Sequence, residues 1–292
     1  MMIGIDLGGT RIKGVIIDVA GKVVHQVILP TNDDGSAAPW KNTVKDVVEN
    51  LLLKMNVANP RIGISAPGLP NENFNAIAFM PGRMEGLENF IWSEFLGLPT
   101  YILNDGVAAL VAEAKFGAAL DRQNVVMLTL GTGVGGAILI NGQPYGGIFN
   151  KAGHFGHMAI DYNAEMDVTN MPGSLETCIG NYNIMERTNG IYNSTHALVE
   201  AYRAGDTFAN EVWLKSVKQL AIGLASIANV LSPEVIILGG GIVEAADALF
   251  VPLVKFLEQY EWRPGGSRVE IIKAELGEIA GAIGAAVFAN SK

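Results

Sequence analysis

Cysteine is nearly absent from this sequence, because Cys178 is the single one in 292 residues. One thiol excludes an intramolecular disulfide and a cysteine-based metal cage, and is typical of a reducing compartment. Long apolar runs are lacking too, since the most apolar region, Leu220 to Val243, is interrupted by Ser232 and Pro233. With no basic, apolar leader before a first strand that begins at Ile3, we expect a soluble cytoplasmic protein without a membrane span.

Positive charge is scarce as well. The chain has 20 Lys plus Arg against 29 Asp plus Glu, a net charge of −9. An acidic surface repels polyanions, so we expect no broad contact with nucleic acid or with an anionic membrane. An anionic ligand must then be held by a local site. The length exceeds that of one ordinary compact core and predicts two domains, with a cleft between them.

The opening stretch, residues 3–18, predicts two strands joined by a glycine turn. Its chemistry-bearing positions are Asp6, Gly8, Gly9, Thr10 and Lys13. Glycine lets backbone N–H groups approach phosphate oxygens closely, and the Thr10 hydroxyl and the Lys13 ammonium add donors. A carboxylate at the end of the first strand suits Mg²⁺ or its water shell. The stretch therefore predicts a phosphate-binding hairpin, although an ordinary tight turn is the alternative.

The same pattern returns 123 residues later, where Leu7 matches Leu130 and Gly8 matches Gly131. The second turn carries Gly131, Thr132, Gly133 and Gly135, and a third glycine turn after another strand carries Gly239, Gly240 and Gly241. The letters GTGVGG also fit a dinucleotide fingerprint, but a strand and a hairpin turn follow where that fingerprint requires a helix. We reject the nicotinamide interpretation and expect two related lobes.

Strands and helices alternate along the chain, which indicates an α/β fold. Apolar spacing and alanine content predict helices over 40–55, 87–96 and 106–116, and mainly helix from about 181 to 230. Short strands are predicted over 61–65, 100–103, 125–130 and 235–238. Small residues dominate the final predicted helix, 277–289, so we expect it to pack closely against another helix.

Asn104 and Asp105 close a predicted strand and precede a helix. Asp105 at this position can be a simple helix N-cap, which is the commoner role. Ligands of open α/β sheets also bind where strands end. There, Asp105 can accept the proton of a sugar hydroxyl as that hydroxyl attacks a γ-phosphate, with Asn104 orienting the sugar.

Two histidines, His154 and His157, lie in a glycine-rich segment, and Glu176 follows. Histidines at this spacing can share a metal ligand set. Because no cysteine lies between them and Glu176, hydrogen bonding to a polyol is the preferred interpretation. A structural role for one histidine is the third alternative.

Seven segments together resemble the ROK family of sugar kinases, of the actin and hexokinase superfamily. They are DLGGTRIK at 6–13, APG at 66–68, LNDGVAAL at 103–110, LGTGVGGAILINGQPYGG at 130–147, AGHFGHM at 152–158, GSLE at 173–176 and SPEVIILGGGI at 232–242. The resemblance implies a two-lobed, actin-like, ribonuclease H-like ATPase fold with an interlobe cleft. The lobes would be 1–108, completed by 282–292, and 109–281.

The same resemblance implies an ATP- and Mg²⁺-dependent kinase that phosphorylates the 6-hydroxyl of a hexose or N-acetylhexosamine. The first two glycine turns then hold the phosphates, the third lies on the adenosine side, and Asp6 holds Mg²⁺. Asp105 is the base. The implied sugar contacts are Gly68, Asn104, His154, His157 and Glu176. A small-molecule sugar and a homodimeric state are the implied partners.

Three departures from the family pattern matter. The usual cysteine-rich zinc knot is missing between 161 and 174, so no zinc site is expected and His157 is left to the sugar. His154 stands where glucokinase-like members have Glu, as in some N-acetylmannosamine kinases. Val107 stands where many members have Asn.

Two rival functions stay open. A sugar-sensing ROK repressor carries a DNA-binding helix-turn-helix before the first strand. Here that strand begins at Ile3 and the chain is acidic, and both facts disfavour a repressor. A noncatalytic sugar-binding homologue is the second rival, although Asp6 and Asp105 are both present. Polyphosphate is an alternative phosphoryl donor, and the Gly239 to Gly241 turn favours a nucleotide.

Overall fold

A computed structural model describes residues 1–55, 57–80, 84–167 and 169–292. The chain forms two compact α/β units, which are described separately. Unit 1 comprises residues 1–122, 138–152 and 274–292, and unit 2 comprises residues 123–137 and 153–273. No helix of these described residues is both long and apolar enough to span a membrane.

The strands and helices follow one another in the alternation that the sequence predicts. The first half contains β1 (Met2–Leu7), β2 (Arg11–Ile17), β3 (Val23–Pro30), α1 (Ala37–Leu52), β4 (Ile62–Ala66), β5 (Leu69–Pro70), β6 (Ile77–Phe79), α2 (Trp92–Leu96), β7 (Thr100–Asn104) and α3 (Asp105–Phe116). The second half contains β8 (Val125–Leu130), β9 (Val134–Ile140), β10 (Gln143–Pro144), α4 (Leu175–Ile179), α5 (Ile184–Arg187), α6 (Thr195–Arg203), α7 (Thr207–Leu231), β11 (Val235–Gly239), α8 (Asp247–Tyr260), β12 (Glu270–Lys273) and α9 (Ala280–Asn290).

The sheet of unit 1 has the strand order β3-β2-β1-β4-β7. β1 runs parallel to β4, and β4 runs parallel to β7, whereas β2 and β3 form antiparallel hairpins. Because carboxyl ends of parallel strands meet at one edge, Asp6, Ser65 and Asn104 lie at the same edge of this sheet. Buried apolar residues such as Ile5 and Ile64 fill the core between sheet and helices.

The C-terminal helix α9 packs against α3 and against β1 and β4. The approach is close because small residues meet: a Cβ on Gly63 would overlap the Ala285 carbonyl, and one on Gly284 would overlap the Ala108 carbonyl. The predicted close packing of this helix is confirmed. It anchors the end of the chain to the edge that carries Asp6.

The sheet that contains β8 and β11 has the order β10-β9-β8-β11-β12, with β8, β11 and β12 parallel. Within unit 2, α7 packs against α4, α6 and α8. The Trp213 indole of α7 is buried and donates from Nε1 to the Ala248 carbonyl at 2.8 Å. Parallel pairing of β8 with β11 brings the turns after these two strands to one edge.

One expectation differs from the structure. The predicted helix over 87–96 shortens to α2 because Asn89 adopts a left-handed conformation, with φ of 57°, that interrupts a helix. The first compact segment of unit 1 runs to Arg122, because α3 packs on α9. The lobe boundaries of 108 and 281 stay a prediction.

Candidate functional site

The carboxylate of Asp6 lies at the sheet edge of unit 1 with its side chain 20% exposed. Ser65 on the neighbouring strand donates from Oγ to Asp6 Oδ1 at 2.9 Å. Burial is the largest cause that raises the pKa of Asp6, to about 6. The hydrogen bond from Ser65 and the charge of Lys13 lower this pKa, and the charge of Asp105 raises it. Asp6 is therefore a carboxylate whose negative charge the protein compensates only in part.

Lys13 approaches this carboxylate from β2, with Nζ 4.0 Å from Asp6 Oδ2. Its ammonium also donates to the Glu278 carbonyl at 2.9 Å and lies 3.5 Å from Glu278 Oε2. The Lys13 side chain thus faces the start of the C-terminal helical segment. Its role at a phosphate stays a prediction.

The first glycine turn is held from one side by Thr31. The Thr31 hydroxyl donates to the Gly8 carbonyl at 2.6 Å, and the Thr31 N–H donates to the Thr10 carbonyl at 3.0 Å. A Cβ placed on Gly9 would meet no atom of the described residues within 4 Å. The tip of this turn therefore faces open space, as a phosphate-binding turn requires.

Asn104, rather than Asp105, is the N-cap of α3. Its Oδ1 accepts from the Gly106 N–H at 3.0 Å and the Val107 N–H at 3.3 Å, and its Nδ2 donates to the Gly68 carbonyl at 3.0 Å. The alternative interpretation of Asp105 as the N-cap is therefore wrong, because the buried side chain of Asn104 caps the helix. Asp105 occupies the first helical position and is exposed. Its Oδ1 accepts from the Gly106 N–H at 2.8 Å.

In unit 2 the second glycine turn is fixed by its surroundings. The Val134 N–H donates to Glu176 Oε2 at 2.8 Å, and a Cβ on Gly133 would overlap that same oxygen. The N–H groups of Asn181 and Tyr182 donate to the carbonyls of Gly131 and Thr132, each at 2.9 Å. Glu176, which the resemblance assigns to the sugar, thus also braces this turn.

A cavity of about 420 Å³ opens in unit 2 beside the second and third glycine turns. Gly131, Thr132 and Gly241 line it, together with Asn181, Ser194, Thr195, His196, Val199, Glu200, Arg203, Ile242, Glu244 and Ala245. Arg203 spans the cavity wall by donating to Glu200 Oε1 at 2.7 Å and to the Ala245 carbonyl at 2.9 Å. The volume and the mixed polar and apolar lining suit a small organic ligand.

The backbone of Gly240 explains how the third turn reaches this cavity. Its φ is +89°, and a Cβ there would overlap the Leu130 backbone at the end of β8. Only glycine fits that conformation and that contact. Gly239 ends β11, and Gly241 begins the short helix that lines the cavity.

His154 precedes a short 3₁₀ helix, Phe155–His157, and His157 ends it. The two imidazole rings are nearly parallel, with centroids 6.4 Å apart. Nδ1 of His157 is buried and lies 4.0 Å from Oδ2 of Asp167. Ser174 caps the N-terminus of α4, which carries Glu176, by accepting from the Thr177 N–H at 3.3 Å. His154, His157 and Glu176 therefore all belong to unit 2.

Sequence reasoning missed several residues that shape these sites. Ser65 ends a predicted strand, and its pairing opposite Asp6 gives a signal only once the parallel order of β1 and β4 is known. Glu278, Asp167 and Arg203 carry no motif. The lining contributed by α6 follows from tertiary packing alone.

The residues around Asp6 fit a Mg²⁺ ion that comes with nucleotide phosphates. A partly compensated, mostly buried carboxylate gains from a nearby cation. In the part of the chain that the structure describes, no three His, Cys, Asp or Glu side chains are grouped as a metal cage. A single carboxylate beside ligand phosphates is the usual arrangement for Mg²⁺.

Two α/β units, each with a glycine-turned hairpin at a sheet edge, define the class of actin-like ATPase folds. The model of the ROK family matches residues 2–292, so the chain belongs to the ROK family. The solved structure of a ROK hexokinase from Thermus thermophilus is similar with a TM-score of 0.88 and 26% identity, covering 99% of this chain and 98% of that chain. A ROK family glucokinase from Streptomyces griseus, solved with glucose and AMPPNP, has a TM-score of 0.81 and 26% identity, covering 100% of this chain and 99% of that chain.

Relatives of the chain include enzymes and regulators. The glucokinase of Streptomyces coelicolor is 27% identical over 319 residues, covering 99% of this chain and 98% of the relative. An N-acetylmannosamine kinase of Escherichia coli is 26% identical, with 99% of this chain and 98% of the relative covered. The xylose repressor of Bacillus spizizenii is 27% identical, with 97% of this chain but 75% of the repressor covered. Sugar kinases of this family are therefore similar over nearly their full length.

Proposed function

We propose that this protein is an ATP-dependent sugar kinase that phosphorylates the 6-hydroxyl of a hexose or an N-acetylhexosamine. The observation that carries the proposal is the 420 Å³ cavity of unit 2, which is lined by Gly131, Thr132 and Gly241. These three residues were predicted from sequence to bind a nucleotide. A cavity of this size beside two glycine turns suits the nucleoside of ATP better than a polyphosphate chain, which has no base to bury.

In this proposal the glycine turns bind phosphates through their backbone N–H groups. Gly131, Thr132, Gly133 and Gly135 serve from the second hairpin, and Gly8, Gly9, Thr10 and Lys13 serve from the first. Asp6 holds Mg²⁺ directly or through water. When bound, that ion neutralises charge that develops on the transferred phosphoryl group.

Asp105 is the proposed general base. It is exposed at the first position of α3 and lies at the sheet edge that also carries Asp6. In the reaction, the proton of the sugar 6-hydroxyl passes to the Asp105 carboxylate as the hydroxyl oxygen bonds to the γ-phosphorus. The bond from that phosphorus to the β,γ-bridging oxygen breaks, and ADP leaves.

The proposed sugar contacts fall into two sets. In unit 1, Asn104 is held by its cap hydrogen bonds and by the Gly68 carbonyl. In unit 2, His154 precedes a short helix that ends at His157, and Glu176 is braced against the second hairpin. The kinases among the relatives differ in sugar, so glucose and N-acetylmannosamine are the first substrates to test.

A sugar-binding regulator without kinase activity is the second candidate. The specific observation that favours it is the similarity to a xylose repressor over 97% of this chain. Such a protein would bind sugar without turnover. The exposed carboxylate of Asp105 beside the partly compensated Asp6 supports the enzyme instead, because a binding protein needs neither.

The test is sugar-dependent ADP release with Mg·ATP across glucose, mannose, fructose, allose, N-acetylglucosamine and N-acetylmannosamine. Asp105→Asn should lower kcat by about 10²- to 10⁴-fold, the usual contribution of a general base. Asp46→Asn, which removes an exposed carboxylate on α1, is the matched control and should keep wild-type kcat. Sugar binding by calorimetry without turnover of any sugar would favour the regulator.

A further inference from the structure

The segment between the histidines and Glu176 is organised around one buried aspartate, Asp167. Its Oδ1 accepts from the Thr169 N–H at 2.8 Å, the Thr169 hydroxyl at 2.7 Å and the Met171 N–H at 3.0 Å. Its side chain is 0% exposed. Burial opposes ionisation, but these hydrogen bonds and the influence of the Ser174 hydroxyl lower the pKa of Asp167 to about 2. Asp167 is thus a buried carboxylate anion at neutral pH.

These three hydrogen bonds all end on the same carboxylate oxygen, Oδ1. Oδ2 is buried and has no hydrogen-bond donor among the residues that the structure describes. Nδ1 of His157 is also buried and has no hydrogen-bond partner among the same residues, and it lies 4.0 Å from this oxygen. A buried acceptor that lacks a donor and a buried ring nitrogen that lacks a partner are each costly, and each supplies what the other needs. A shift of about 1 Å would bring them to hydrogen-bond distance.

The rest of the His157 ring is accessible. The side chain as a whole is 40% exposed although Nδ1 is buried, so the exposed area belongs to other atoms of the side chain. When Nδ1–H of a neutral imidazole donates a hydrogen bond to a carboxylate, the opposite nitrogen, Nε2, is a hydrogen-bond acceptor. That acceptor would point away from Asp167.

We propose that Asp167 is a positioning residue that holds His157 in the Nδ1–H tautomer, so that Nε2 accepts a hydrogen bond from a sugar hydroxyl. The sugar part of this inference rests on the proposed function, whereas the tautomer is a property of the protein alone. Asp167 itself does not touch the sugar. It acts through the ring, as carboxylates do for metal-bound and catalytic histidines.

The first test is the tautomer of His157 in the unliganded wild-type protein, measured by ¹⁵N NMR of the imidazole nitrogens above pH 7.5. The chain has only four histidines, so His157→Asn assigns the signal by its loss. We expect a protonated Nδ1 and an unprotonated Nε2. A protonated Nε2 in the wild-type protein would overturn the proposal, whether or not any variant folds.

The second test compares Asp167→Asn with Asp161→Asn. Asp161 lies in the same segment and accepts from the Asn163 N–H at 3.1 Å, so it is a matched loss of charge. Asp167→Asn should shift His157 toward the Nε2–H tautomer and weaken sugar binding about tenfold by calorimetry, with the ATP Kd changed less than twofold. Asp161→Asn should change neither. An unchanged sugar Kd in a folded Asp167→Asn protein would overturn the role in sugar binding.

Kinase assays on the same proteins separate this inference from the proposed function. A wild-type protein that binds sugar, shows the Nδ1–H tautomer and turns over no sugar would overturn the kinase proposal while supporting the positioning role. A kinase whose sugar KM is the same in wild type and Asp167→Asn would support the function and overturn the positioning role.

Discussion

The two glycine-turned hairpins share a plan but differ at the second-to-last residue of the first strand. In the first hairpin that residue is Asp6, and 123 positions later it is Thr129. The strands are joined by three residues in each, Gly8 to Thr10 and Gly131 to Gly133. The first hairpin therefore carries a negative charge at its base, and the second carries a hydroxyl.

Their surroundings differ in the same sense. The tip of the first turn is open at Gly9, whereas the second is braced by Glu176 and by the N–H groups of Asn181 and Tyr182. A turn with an acid and an open tip suits a cation with its phosphates. A turn held rigid beside a cavity suits the nucleotide itself. Similar hairpins can thus serve different parts of one ligand.

Among changes to the two hairpins, removal of the Asp6 carboxylate should have the largest effect. Asp6→Asn keeps the size of the side chain but loses the charge that we assign to Mg²⁺, so kcat should fall by about 10²- to 10³-fold, the range for loss of one preorganised electrostatic contact. The Mg²⁺ concentration for half-maximal activity should rise. Steady-state kinetics at varied Mg²⁺ measure both.

The control for that prediction is again Asp46→Asn, whose carboxylate is exposed on α1. Wild-type kcat and wild-type Mg²⁺ dependence in the Asp6→Asn protein would contradict the assignment of the cation to the first hairpin.

The conformation of the third glycine turn, which borders the cavity of unit 2, should depend on Gly240. Gly240→Ala places a Cβ at φ of +89° against the Leu130 backbone, and we expect the free energy of unfolding to fall by about 2–3 kcal/mol. Thermal unfolding followed by circular dichroism measures the change.

Gly265→Ala is the matched control, since Gly265 has φ of +64° but open space around a Cβ. It should cost about 1 kcal/mol, the strain of the backbone alone. Equal losses in the two variants would show that contact with β8 does not hold the third turn.

A smaller effect on the free energy of unfolding is expected when the charge of Asp167 is lost, by substitution or by low pH. The loop that contains Asp167 leads into α4, the helix that carries Glu176. Because the pKa of about 2 in the folded protein lies below the ordinary aspartate pKa of 3.8, the ionised carboxylate stabilises the fold above about pH 4. That stabilisation is lost as the pH falls toward 2. Asp167→Asn should therefore lower the free energy of unfolding by on the order of 1–2 kcal/mol at pH 7 and by almost nothing near pH 2.

Denaturant unfolding at pH 7, 4 and 2.5 tests this dependence, with Asp161→Asn as the control. A deficit of the Asp167→Asn protein that stays constant across this range would show that shape, and not charge, is responsible.

Much of the fold could be predicted because its signals are local. Strand and turn patterns gave both hairpins, and the small residues of α9 indicated the close packing that the structure shows at Gly63 and Gly284. The helix over 87–96 was overestimated because an apolar run says nothing of the left-handed backbone at Asn89. The packing of α3 against α9 could not be predicted, because the two helices are far apart in sequence.

The candidate site was predictable where a motif carries it. Asp6, Asn104 and the glycine turns lie at sheet edges because strands end there, which the sequence reveals. Ser65 and Glu278 reach the first site only through strand pairing and the return of the C-terminal segment. The hydrogen bonds of Asp167 and the α6 wall of the cavity depend on loop and helix packing that no local pattern records.

The most direct test of the kinase account is ³¹P NMR of Mg·ATP incubated with the wild-type protein and each hexose in turn. The account predicts that one or more sugars yield a phosphomonoester signal equal in amount to the ADP formed, and that Asp105→Asn yields almost none. ADP with inorganic phosphate and no sugar phosphate, or no ATP consumption with a sugar that binds, would contradict it.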